Sequence, residues 1–216
     1  MKRIALIGPS GYIGSRILKE ALDRGHLVTG ICRHPEKIAI THPSLRSEKG
    51  DVSIPETVPS LCKDADAIIS AYNPGWTNPE IAAETTRVYK IIIEGVKRAG
   101  IRRFLVVGGA GSLFVSPGVR LMDSGKMPES YLPAVRALGE VYLEMLSAEK
   151  DLDWIFFSPA ENIVPGTRTG IFRLGKDDLI KDPDGKSLIS VEDYAVAMID
   201  EFENKAHHRE RITIGY

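Results

Sequence analysis

Three observations predict an α/β fold, a doubly wound parallel sheet in one domain over residues 1–216. The run Ile4-Ala5-Leu6-Ile7 is apolar without alternation, as in a strand covered on both faces. Gly8 to Gly14 is a glycine-rich turn, followed by apolar positions at helical spacing: Ile13, Ile17, Leu18, Ala21 and Leu22. Strand and helix then alternate, the pattern of βαβ units with right-handed crossovers.

Leu27 to Cys32 reads as a second strand after a helix closed by Gly25. Leu45 to Lys49 is a third candidate with a polar composition, and Ala65 to Ala71 a fourth, ending in the turn sequence Tyr72-Asn73-Pro74-Gly75. Asn78 is placed to cap a long helix from Pro79 to Ala99, with Gly100 just past its end. Phe104 to Val107 is a buried strand. Gly108 to Glu129 reads as a long loop, and Leu132 to Leu146 as an amphipathic helix. Trp154 to Phe157 is another strand. Gly166 to Ser190 suggests small strands or a hairpin, a lid over the open end of the sheet. Ser190-Val-Glu-Asp193 has capping-box spacing ahead of a helix, and Arg211 to Gly215 closes the chain as a strand.

Composition sets outer limits. The 28 Lys plus Arg against 29 Asp plus Glu leave a net charge of -1, so no global basic field would hold nucleic acid or an anionic membrane. The apolar run after Met1-Lys2-Arg3 is too short to span a bilayer or to serve as a signal peptide. Cys32 and Cys62 lie far apart without ligand partners, which points to a reducing, cytoplasmic location and to no metal site. His207-His208 read as residues favoured at a helix C-terminus, and Asp177, Asp178 and Asp182 as solvated charges.

The turn Gly8-Pro-Ser10-Gly11-Tyr12-Ile13-Gly14 carries the first chemistry. Glycine there permits a tight turn, close approach of backbone to a pyrophosphate and packing of the helix on its strand. The helix N-terminus offers free N–H groups to the phosphate. This is the Rossmann-like arrangement. In an NAD site the second strand ends, about 20 residues further on, in an acid that binds the ribose 2′-hydroxyl. Arg33 stands there instead. A guanidinium cannot accept that hydrogen bond but pairs with a 2′-phosphate, so the sequence favours NADP over NAD, with Lys37 assisting and His34 nearby. The competing reading of Arg33 is a solvated charge after a strand. Gly50-Asp51-Val52 is placed for the adenine, although Asp51 would also serve as a turn cap, and Ala71-Tyr72-Asn73 lies where ligands bind in open α/β sheets.

Further residues carry a family resemblance over essentially the whole chain. They are the glycine motif, Arg33, Gly50-Asp51, the run Val106-Val107-Gly108-Gly109-Ala110-Gly111-Ser112-Leu113, and the tail Asp153-Trp154, Ser158-Pro159, Thr169-Gly170, Arg173-Leu174-Gly175 and Ile189 to Ala195. Together they resemble the atypical short-chain dehydrogenase/reductases, most of all the Rrf2-linked NADH-flavin reductase-like and biliverdin reductase B-like proteins. The Tyr-x-x-x-Lys pair of the main branch is absent, because Tyr131 is followed four residues later by Val135. The resemblance implies hydride transfer to a flavin such as FMN, or to another small planar acceptor, with the flavin a substrate that comes and goes. It implies Gly108 and Gly109 beside the cofactor, and Ser158-Pro159-Ala160 at the nicotinamide carboxamide. Ser112 is the candidate catalytic residue, slightly later in its loop than the related pattern. Trp76 and Tyr72 are candidates for an aromatic wall or a packing plug. A second implication stays open: NmrA-like members bind NADP as sensors without turnover. Either way the protein is expected to work as a monomer or homodimer on a small molecule.

Overall fold

The computed structural model describes residues 1–216. The strands are β1 (Arg3–Ile7), β2 (Leu27–Cys32), β3 (Leu45–Lys49), β4 (Ala67–Ser70), β5 (Arg103–Val107), β6 (Phe114–Ser116), β7 (Val119–Arg120), β8 (Asp153–Ser158), β9 (Asn162–Val164), β10 (Arg173–Gly175), β11 (Leu188–Ser190) and β12 (Glu210–Gly215). The α-helices are α1 (Tyr12–Asp23), α2 (Thr57–Cys62), α3 (Ile81–Arg98), α4 (Leu132–Glu140) and α5 (Val191–Asn204).

An eight-stranded sheet has the order β10-β12-β8-β5-β4-β1-β2-β3. Its neighbours are parallel, apart from the antiparallel edge pair β10–β12. The chain reverses its direction of travel across the sheet between β1 and β4, which leaves a crevice at the carboxyl ends of those strands. The sheet is Rossmann-like and doubly wound, as the sequence predicts.

Strand residues point alternately to two cores. Ile4 and Leu6 face α1 and α5 in one apolar cluster, whereas Ala5 and Ile7 face α2 and α3 in the other. Burying strands on both faces explains why β1 and β5 read as unbroken apolar runs. The polar β3 escapes this rule because it pairs on one side only, as the sheet's edge. No helix is long and apolar enough to cross a membrane.

Several expectations are corrected. The long helix begins at Ile81, not Pro79, and its N-cap is Glu80. Asn78 instead accepts a hydrogen bond from the Glu80 N–H (2.9 Å) and donates through Nδ2 to Glu84 (2.6 Å), so it builds the turn before the helix. The stretch after Gly108, expected as a long loop, holds the β6–β7 ribbon and three short 3-10 turns, Ala110–Ser112, Leu121–Asp123 and Glu129–Tyr131. The helix from Leu132 is α-helical to Glu140 and continues as a π-helix through Val141–Leu146. The region Gly166 to Ser190 forms no local hairpin. Its strands pair with distant ones, β11 in parallel with β9 and β10 with β12, because these edges offer open backbone groups.

The capping box is half made. Ser190 Oγ accepts from the Asp193 N–H (3.0 Å), but the Asp193 carboxylate turns outward to the Thr169 and Gly170 N–H groups (2.7 and 2.8 Å) and to the hydroxyls of Thr169 and Tyr216 (2.6 and 2.7 Å). That carboxylate pins the lid segment to α5.

Candidate functional site

A cleft of about 650 Å³ lies at the carboxyl ends of the parallel strands. The turn after β1 brings Gly8, Ser10, Gly11, Tyr12, Ile13 and Gly14 to its wall. Gly8 has φ +80°, and a Cβ on it would lie 2.7 Å from the Ala71 carbonyl oxygen. A Cβ on Gly14 would lie 2.0 Å from the Gly8 carbonyl oxygen, so the turn, α1 and β4 meet only because side chains are missing there. Gly11 caps α1 without a side-chain bond, which leaves first-turn N–H groups directed at whatever occupies the turn.

Next in the sheet, β2 ends in Arg33. Arg33 and Lys37 are exposed, line the cleft and have no side-chain partner within the protein, whereas His34 is held 3.0 Å from Glu36. Asp51 and Val52 line the same end. Asp51 accepts from the Ser53 N–H (2.9 Å), and Thr57 Oγ1 donates to its carbonyl (2.7 Å), so it also builds the turn. Burial would raise the Asp51 carboxyl, but that N–H and the nearby Arg33 and Arg87 guanidiniums hold it below the usual carboxylate range.

The β4 end supplies Ala71, Tyr72 and Asn73. Tyr72 donates its hydroxyl to Glu84 Oε1 (3.2 Å), and its ring meets Tyr89 edge-on at 5.8 Å. Burial and the Glu84 charge push the Tyr72 phenol well above its ordinary value, so it stays neutral. Asn73 accepts from the Gly75 N–H (2.7 Å), which sets the turn that carries Trp76. Trp76 lines the cleft and meets Tyr131 edge-on at 5.5 Å, with both rings largely exposed. Tyr131 itself is outside the lining, and Val135 is within it.

At the end of β5, Gly108, Gly109 and Ser112 reach the cleft. A Cβ on Gly108 would strike the Phe156 ring at 2.6 Å, and one on Gly111 would meet Val135 at 2.1 Å, so this glycine run lets the loop lie between the sheet and α4. Ser112 is 1% exposed. The β8 end contributes Pro159 and Ala160, but not Ser158: its hydroxyl is fully buried, lacks a hydrogen-bond partner and stays out of the lining. Only Ile163 of the small C-terminal strands reaches the cleft, which limits the lid's part in it.

Some lining residues carried no readable signal in the sequence. Glu84 looks like an ordinary helical charge until Tyr72 and Asn78 turn toward it. Leu121, Met127, Ala134 and Leu138 form an apolar wall from the stretch read as a long loop and from α4. Arg211 lies on the last strand, 4% exposed, and donates to both Ser112 O (2.9 Å) and Ser112 Oγ (3.0 Å). It also donates through Nε to Asp177 (3.0 Å), which corrects the reading of Asp177 as a plain solvated charge. His207 and His208 face the carboxylates of Glu201 (2.7 Å) and Asp153 (2.9 Å).

The cleft thus has two halves. The β1–β2 half offers backbone N–H groups, a glycine floor and unpaired cations, a setting for phosphate. The half from β4 to β8 offers aromatic and apolar walls, the buried hydroxyl residues Thr85 and Ser112 and the carboxylates Glu84 and Glu161, a setting for a flat, mostly apolar molecule.

A family model described as NAD(P)H-binding matches residues 8–205. The chain is 38% identical over 98% of its length to the uncharacterised protein YwnB of Bacillus subtilis, covering 97% of that protein. A crystal structure from Bacteroides thetaiotaomicron, named as a candidate epimerase, superposes with a TM-score of 0.94 at 60% identity, covering 100% of this chain and 97% of that one. Another from Streptococcus pneumoniae, named as a candidate NADH-flavin reductase, gives 0.86 at 30% identity, covering 100% and 99%.

Proposed function

The chain belongs to the NAD(P)H-binding family, and from that premise we propose that it is an oxidoreductase that uses NADPH in preference to NADH and reduces a small planar acceptor, a flavin or a quinone-like compound. One observation carries the reading: the half with the glycine turn, Arg33 and Lys37 and the half walled by aromatic and apolar side chains are parts of one cleft.

The residues fit the cofactor. The missing side chains at Gly8 and Gly14 let the turn pack on β4 and α1, Gly8, Gly11 and Gly14 line the cleft as bare backbone, and the free N–H groups at the start of α1 would hold a pyrophosphate there. Arg33 and Lys37, having no internal partner, would hold a 2′-phosphate. Asp51 and Val52 would flank the adenine, and Pro159 and Ala160 the nicotinamide end. When bound, the reduced nicotinamide supplies hydride. The protein's contribution is to hold the acceptor flat against it between Tyr72, Trp76, Val135 and Leu138, to exclude water there and to offer the Ser112 hydroxyl.

Such an acceptor is already a good hydride sink and needs no strong general acid. This agrees with Val135 standing where the Tyr-x-x-x-Lys pair would need lysine. The same absence is why epimerisation is not proposed, despite the name of the Bacteroides thetaiotaomicron protein. It also favours a second reading, an NADP-binding sensor of the NmrA type without turnover. In either case the site of action is the cytoplasm, with Cys32 and Cys62 as free thiols.

Steady-state oxidation of NADPH with FMN, riboflavin and 1,4-naphthoquinone tests the proposal. Turnover with at least one acceptor supports it. Tight NADPH binding with no turnover of any of them replaces it with the sensor.

A further inference from the structure

We propose that Arg211 is a positioning residue that makes the Ser112 hydroxyl a one-way hydrogen-bond donor toward the planar acceptor. The inference rests on the oxidoreductase reading above and assigns it a further residue.

Arg211 and Ser112 are 99 positions apart, and the sheet order brings them together. Arg211 is opposite Phe156 in the β12–β8 register, on the sheet face that carries the loop after β5. Three contacts fix its guanidinium. Nε and Nη2 both bond Asp177. The Tyr142 ring lies beneath, 4.5 Å from the guanidinium carbon to the centroid, and is itself stacked on Phe156 at 5.2 Å. Tyr142 belongs to the π-helical turn Val141–Leu146, so the irregular winding of that helix forms part of the arginine's seat. The remaining arm, Nη1, grips Ser112 at two points, its carbonyl and its hydroxyl oxygen.

The consequence follows from hydrogen-bond capacity. A serine hydroxyl has one hydrogen to donate and two lone pairs with which to accept. An arginine only donates, so the bond from Nη1 occupies a lone pair and leaves the hydrogen unused. No hydrogen bond within the protein uses that hydrogen, and Ser112, although 1% exposed, is among the residues that line the cleft. The hydrogen is therefore available to an acceptor atom there. The adjacent positive charge makes the hydroxyl a stronger donor, and burial magnifies the effect.

The chemistry that benefits is specific. A hydride delivers two electrons and one proton to the acceptor, which is reduced while the nicotinamide is oxidised. The acceptor's carbonyl oxygen or ring nitrogen then carries negative charge until solvent supplies a second proton. Ser112 stabilises that charge by a hydrogen bond and transfers no proton itself, so Arg211 and Ser112 emerge from the reaction unchanged. A preorganised donor aimed where charge develops is among the strongest sources of rate enhancement in enzymes.

The test compares Ser112→Ala, Arg211→Met, Arg211→Lys and Ser112→Ala/Arg211→Met in the full chain. Two readouts are taken with riboflavin: kcat with NADPH, and equilibrium binding to the NADP⁺-loaded protein by flavin fluorescence, which requires no turnover. Each of the first two variants is expected to lower kcat by roughly 10- to 100-fold and riboflavin affinity by about threefold, with the NADP⁺ Kd unchanged. The double variant should be no worse than Ser112→Ala alone, because both substitutions remove one donor. Arg211→Lys should recover part of the loss, and it carries the test if Arg211→Met fails to fold. Additive losses, or a kcat within twofold of wild type in the Arg211 variants, overturn the assignment of Arg211 alone. A wild-type protein that binds NADP⁺ but neither binds nor reduces riboflavin or naphthoquinone overturns both this assignment and the reading beneath it.

Discussion

A Cβ on Gly14 would stand 2.0 Å from the carbonyl oxygen of Gly8, closer than any packing arrangement permits. The obstructing atom is backbone, so no side-chain rotation relieves the clash, and the first turn of α1 must move away from β1. Gly14→Ala is expected to cost about 1–3 kcal/mol of stability, as overpacked sites do, and to weaken NADPH binding at least tenfold. Thermal melting and cofactor titration check both effects; a variant with wild-type melting and affinity would refute the cradle geometry.

Arg33 is the exposed, unpaired cation at the end of β2. Replacing it with alanine should weaken NADPH by roughly 10-fold or more, the scale of a lost charge-assisted pair, and leave NADH within about twofold. Both affinities are measured on one preparation. An equal loss for the two cofactors would show that Arg33 does not read the 2′-phosphate.

Charge divides the cleft along the sheet. Its cationic side chains, Arg33 and Lys37, follow β2 beside the single carboxylate Asp51, while carboxylates Glu84 and Glu161 and no cation line the half from β4 to β8. An acceptor phosphate would meet no lining cation in that half, so riboflavin and naphthoquinone should have a higher kcat/KM than FMN at low salt, with the gap narrowing as ionic strength rises. Glu84→Gln should narrow it too. A preference for FMN that salt weakens would reverse the assignment.

Arg103 and Glu201 are 3% and 4% exposed and ion-paired, joining the start of β5 to the last turns of α5. Glu201→Ala removes one of the two carboxylates paired with the buried guanidinium, leaving Asp153 at 3.0 Å, and is expected to destabilise the fold by about 1–3 kcal/mol, read from chemical denaturation. Because the pair lies at the opposite end of β5 from Gly108, NADPH affinity of the folded variant should be unchanged. A loss below about 1 kcal/mol would contradict the burial.

Burial would raise the Asp193 carboxyl, but the hydroxyls of Thr169 and Tyr216 and the N–H groups of Gly170 and Thr169 hold it below its ordinary value. A carboxylate whose pKa is depressed on folding contributes stability above its unfolded pKa, and that contribution disappears as pH falls through the folded one. The Asp193 contribution is therefore complete at neutral pH and is lost on acidification below about pH 4. Asp193→Asn should flatten that limb of the stability–pH curve; an unchanged curve would exclude Asp193 as its source.

Much of the cofactor half is legible in the sequence because its features are local: an apolar run, glycines at fixed steps, a helical period and an arginine in place of an acid all lie within consecutive residues. The Ser190 cap is legible for the same reason, since its bond spans three positions. The sequence alone thus determined the strand–turn–helix start, the alternation behind the parallel sheet and the candidate NADP end of the cleft. Partners distant in the chain were not legible. Asp193 has cap spacing yet gives its carboxylate to Thr169 and Tyr216, and β10 pairs with β12 rather than with a neighbour in sequence. The meeting of Arg211 with Ser112 was decided only by tertiary structure. A strand pattern shows that position 211 is in the sheet, but which loop the side chain meets depends on β12 docking beside β8. Parallel crossovers set that order, and they are stabilised by packing over the whole chain rather than by any local run of residues.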